Sequence, residues 1–157
     1  TSTGSGTVVV TGGIGVTGNV VAGGTFQGTA TSAQYADLAE NYLADAVYEP
    51  GTVLEFGGTA EVTIAEDSTR RVAGVVSTAP AHLMNSHLTG DCVVAVALTG
   101  RVPCKVRGKI RKGDMLVSGG GGYARPESNP MLGSVIGKAL NDFEGVEGVI
   151  EVVVGRL

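Results

Sequence analysis

Short apolar clusters at residues 8–10, 14–16, 20–21 and at Phe26 alternate with glycines at 12–13, 18, 23–24 and 28, a spacing of about six residues. This pattern predicts strands of two or three residues closed by tight turns. A single chain of this kind buries almost nothing. Three copies winding around one axis would bury the valines against each other, as a solenoid does, but between chains. Residues 1–30 are therefore expected to form a glycine-rich, intertwined β fibre segment that needs partners to be stable.

The pattern changes at residue 31. Alanines dominate residues 31–43, and Tyr35, Leu38, Ala39 and Tyr42 recur at i, i+3, i+4 and i+7. That period predicts a helix, capped by Thr31 or Ser32, with Asp37 and Glu40 together on another face. Residues 31–49 are expected to be this short helix and a linker, ended by Pro50-Gly51.

Beyond Gly51 the chain reads as strands and turns. Strands are predicted near 52–56, 61–64, 72–76, 92–98, 102–106, 115–117, 134–139 and 150–154. Thr99-Gly100 reads as a tight turn between two of them, and 81–88 as an irregular or slightly helical excursion. The expected fold class is mainly β: the fibre segment, one short helix, and a small β-barrel or sandwich-like domain over 50–157.

Composition supports strands over disorder. Hydrophobic residues make up 43% of the 157-residue chain and charged residues only 17%, with 26 glycines and 4% aromatics. A net charge of −4 leaves no basic footprint, so no nucleic-acid partner is expected. The one basic run is Lys105, Arg107, Lys109, Arg111 and Lys112, which alternates like a strand's outward face. It suits a solvated, edge-protecting surface, or contact with an acidic neighbouring subunit or an anionic cell-surface sugar. No apolar run reaches the ~18 residues of a membrane helix, and no membrane insertion is expected. The chain opens at Thr1 without methionine, so it is expected to be the end of a longer polypeptide or a processed fragment.

Several motifs invite chemistry. Gly13-Ile14-Gly15-Val16-Thr17-Gly18 spells GxGxxG, but Val20, Val21 and the glycine pair at 23–24 cannot sustain the helix that a dinucleotide needs, so no cofactor is expected. Cys92 and Cys104 make neither a disulfide framework nor a metal site, and they read as small strand residues. His82 and His87 lie five apart, off the i, i+4 spacing of a helical metal pair. They suit polar loops, with a histidine ring on a trimer axis as the alternative. Ser77, His82 and Asp91 could be written as a triad, but no GxSxG elbow accompanies them.

The ordered series Tyr35-Ala36-Asp37-Leu38-Ala39-Glu40-Asn41-Tyr42, Tyr48-Glu49-Pro50-Gly51-Thr52-Val53-Leu54 and Arg71-Val72-Ala73-Gly74-Val75-Val76-Ser77-Thr78-Ala79-Pro80 resembles the C-terminal region of phage fibre proteins. Ala97-Leu98-Thr99-Gly100-Arg101-Val102 and Lys112-Gly113-Asp114-Met115-Leu116-Val117 fit the same picture. The resemblance is to tail fibres of T4-like and cyanobacterial phages. More distantly, it is to the self-cleaving C-terminal domain of Bacillus phage pre-neck appendages. It implies a structural virion protein, assembled in the host bacterial cytoplasm. The chain would be a homotrimeric fibre end whose terminal domain aids registration and assembly, in contact with other virion structural proteins. A host-receptor adhesin is an alternative, against which the low aromatic content argues.

In the self-cleaving relatives a carboxyl pair cuts the chain, and Asp37 and Glu40 match their Asp-x-x-Glu motif. One carboxyl would act as base and the other would polarise or protonate the peptide, so they must sit close with pKa values pushed apart. The cut would fall within 31–35, where Ser32 offers a hydroxyl. Leu38 and Asn41 depart from the more aromatic surroundings expected there, which favours a solvated face or interface salt bridges for the pair. No activity beyond autoproteolysis is expected, and no metal.

Overall fold

The computed structural model describes residue 8, residues 10–18, residues 20–21 and residues 37–155. The chain divides into two units, Thr1–Thr31 and Ser32–Leu157. In the first, Val8, Val10, Ile14, Val16, Val20 and Val21 are all exposed, and no described residue lies in a strand. The short strands expected there therefore do not form among the described residues.

Ten strands build the second unit: β1 (Asp37–Leu43), β2 (Val53–Phe56), β3 (Val62–Ile64), β4 (Val72–Val76), β5 (His82–Met84), β6 (Val93–Arg107), β7 (Met115–Ser118), β8 (Ala124–Pro126), β9 (Val135–Ala139) and β10 (Glu147–Val154). The spine is β6, fifteen residues long. Its C-terminal half pairs antiparallel with β10, from Arg107↔Glu147 to Gly100↔Val154. From there the ring runs through β9, β7 and β8, and the parallel bridge Val106↔Ala124 returns it to β6. The result is a closed five-stranded barrel, which leaves none of these strands with a bare edge. Its interior alternates along each strand: Val102, Cys104 and Val106 from β6 meet Ile150 and Val152 from β10, Ile136 from β9 and Leu116 from β7.

The N-terminal half of β6 leaves the barrel and carries the additional strands. On one side β4, β2 and β3 follow in turn. On the other, β1 runs antiparallel to β6 and β5 runs parallel to β1. Leu54, Val62, Ala73, Val76, Val94 and Val96 pack here as a second core, with Tyr42 and Leu98 against it. Each fully buried valine or leucine contributes about 1.5–3 kcal/mol, so both halves of the spine are anchored independently.

Two sequence expectations are corrected. The segment expected to be helical is a strand from Asp37 to Leu43, and no helix occurs among the described residues. Helix propensity is a weak prior. A helix here would strand the β6 edge over residues 93–100, whereas β1 pairs along it with one register shift between Leu38 and Ala39, and Ala39 is fully buried. Nor is Thr99-Gly100 a turn, because β6 runs straight through it. Gly100 pairs with Asp37 on one register and Val154 on another, and its φ of 108° suits the place where the strand changes partners.

Candidate functional site

The candidate dyad lies on β1, the first strand of the second unit to be described. Asp37 is 5% exposed, and its Oδ2 has no hydrogen-bond partner among the described residues. Its carbonyl accepts a hydrogen bond from the Ala81 amide at 2.8 Å. A buried carboxylate oxygen without a donor is costly, so this atom calls for a partner that the described residues do not supply. Glu40 is half-buried, and its Oε2 accepts the Tyr42 hydroxyl proton at 2.8 Å. Strand alternation separates the two acids: Asp37 shares a face with buried Ala39, and Glu40 shares the other with Tyr42. The helical spacing that would have joined them is absent, so within one chain they do not form a dyad. Ser32 and the expected cleavage segment at 31–35 lie outside the described residues.

The paper triad is not assembled either. The Ser77 amide bonds the Ala95 carbonyl, whereas His82 pairs with Leu38, which sits opposite Thr99. Four residues of β6 separate those levels, about 13 Å along the strand. The Ser77 hydroxyl is buried without a partner, while His82 and Asp91 are exposed. Among the described residues no three His, Cys, Asp or Glu side chains gather as a metal site. Cys92 and Cys104 are free thiols; burial pushes Cys104 up to about 12.

Four of the five basic side chains in the run are matched within their own chain. Arg107 meets Glu147 at 3.2 Å, and Lys109 and Arg111 meet Glu144 at 3.0 and 3.9 Å. Lys105 donates to the Thr52 hydroxyl at 3.0 Å, and Arg107 also lies over the Tyr123 ring, 4.5 Å from its centre. The loop leading into β10 thus supplies the acidic partner.

Sequence reading overlooked a buried acid. Glu55 on β2 is 1% exposed and ion-paired to Arg71, and its Oε2 accepts the Glu66 amide at 3.0 Å. Burial pushes its carboxyl up, but the Glu66 amide, the Thr69 hydroxyl and the Arg71 guanidinium together hold it below the usual range. No local pattern betrays it, since its partners lie 11 to 16 residues away.

No protein-family model matches the sequence. No curated protein is similar to it in sequence. Solved structures are similar in fold. The C-terminal fragment of bacteriophage phi29 gene product 12 matches with a TM-score of 0.57 and 14% identity, over 75% of this chain and 99% of that one. The pre-mature phi29 gene product 12 matches with a TM-score of 0.59 and 14% identity, over 88% of this chain and 23% of that one. The N base of the phi29 head fibre gp8.5 matches with a TM-score of 0.48 and 18% identity, over 75% of this chain and 93% of that one. The barrel with its flanking strands therefore shares the fold of the phi29 gene product 12 C-terminal fragment.

Proposed function

We propose that this chain is a structural component of a phage virion, the end of a homotrimeric fibre or appendage. The barrel domain holds three glycine-rich segments in register during assembly in the host cytoplasm. The fold likeness to the phi29 gene product 12 C-terminal fragment carries this reading. The six exposed aliphatic side chains among the described residues from Val8 to Val21 support it, because partner chains would cover them. A register of glycine-rich strands is poorly specified by its own side chains, so a globular domain that fixes it has a physical purpose. The test is a Val16→Cys substitution in a Cys92→Ser background. Mild oxidation should convert up to about two of every three copies to a disulfide-linked dimer, since three single thiols close one disulfide, and a protein in which no copy cross-links would contradict the registered trimer.

A second reading, self-cleavage, is favoured by one observation. The orphan Asp37 oxygen lies just after the segment expected to be cut. A neighbouring chain would then complete the site that one chain leaves divided. Intact mass decides it: a wild-type chain split upstream of Asp37, with Asp37→Ala and Glu40→Ala whole, is the expected result. A wild type that stays whole would leave both acids structural.

A further inference from the structure

Two lysines border one groove, and Arg101 stands on the same face one strand beyond it. Among the described residues, Arg101, Lys112 and Lys138 are the lysine and arginine side chains with no hydrogen bond or ion pair. Lys112 and Lys138 border a groove of about 400 Å³ that Leu140 and Val153 also line, with buried Ala139 beneath. Val153 on β10 lies between its register partners Lys138 on β9 and Arg101 on β6, so all three project from the barrel's outer face. Val153 is itself exposed. Glu151 lies on the same face and forms no ion pair with any of the three. Unpaired cations around an apolar floor suit an occupant with an aliphatic side chain flanked by carboxylates.

This chain carries such a segment. Val47, between β1 and β2, is 86% exposed and stands between Asp45 and Glu49. Glu49 makes no side-chain bond, and Asp45, though it accepts the Tyr48 hydroxyl proton at 2.5 Å, remains exposed and anionic. Val146 is equally exposed, but its acidic neighbours Glu144 and Glu147 already pair with Lys109 and Arg107. The exposed Met131 and Leu132 have no acid within two residues. We propose that the groove between Lys112, Lys138 and Arg101 receives the Asp45–Glu49 loop of a second copy of this chain. Loop and groove are different surfaces, so the contact is head-to-tail, the kind that closes into a ring. The inference rests on the homotrimer reading and assigns its interface.

The test is charge reversal and exchange in the intact chain, read by sedimentation over a concentration series. Lys138→Glu and Glu49→Lys should each weaken self-association by on the order of tenfold or more, and the double variant should restore much of it. A wild-type circular dichroism spectrum would show that each variant is folded, since loss of association alone lowers the melting temperature; Lys138→Gln or Glu49→Gln replaces the corresponding reversal if it is not. Unchanged association in both single variants would overturn the interface and leave the trimer standing. Weakening without restoration would overturn the loop as the occupant. A monomeric wild type would overturn the trimer and this interface together.

Discussion

At the scale of single residues, Glu55 sets an acid limit on stability. Its folded pKa lies below the unfolded value, so its contribution is complete above the unfolded pKa and is lost as pH falls through the folded one. Urea unfolding across that acid range is expected to show a fall in stability that Glu55→Gln flattens. An identical slope in the variant would remove Glu55 from the account. Close approach sets a second limit at Gly137, where an added Cβ would lie 2.0 Å from the Val153 carbonyl oxygen. Gly137→Ala should therefore cost about 3 kcal/mol or more. At Gly108, φ is +79° with open space around it, and the same change should cost only about 1–2 kcal/mol. Equal melting temperatures for the two variants would contradict this. The two thiols differ in the same way: a thiol reagent should titrate half-buried Cys92 in the native chain and reach Cys104 only after unfolding.

At the scale of elements, β1 is the instructive case. Its sequence carries a helical period through Leu38, Ala39 and Tyr42, yet β6 on one side and β5 on the other claim its backbone. Reciprocal bonds tie Asn41 to Asn85 across β1 and the end of β5: each side-chain amide donates to the other's carbonyl, at 3.3 and 3.1 Å. Flanked on both edges, the Ala39 and Glu40 amides should exchange with solvent more slowly than those of His82 and Leu83 in β5, which among the described residues has only β1 beside it. The reverse order in hydrogen exchange would contradict the pairing. Where alternation or an apolar run coincides with a turn signal, as in β2, β4, β7, β9 and β10, the sequence is legible. It fails for β1, because long-range pairing overrides a local period. It fails again at Thr99-Gly100, where a glycine that bends a continuous strand looks like one that ends it. The three-residue strands β5 and β8 are too short to carry any period. The Asp37 and Glu40 pair stands out in the sequence by its helical spacing and its Asp-x-x-Glu match, but only the strand register reveals that one chain turns the two acids apart.

At the scale of the whole molecule, one strand joins two cores, and each core is closed by other elements. The barrel domain therefore needs no partner for its own burial. The segment over residues 8–21 is the opposite case, since the aliphatic side chains among its described residues meet solvent in the single chain. A folded domain joined to a segment that cannot bury itself is the physical basis for proposing a fibre end. The central claim is that the second unit holds three copies together. The native mass of the intact 157-residue chain, measured over a dilution series, tests it most directly. The account predicts a species of three times 15.8 kDa that persists on dilution, and a single 15.8 kDa species at all concentrations would contradict it.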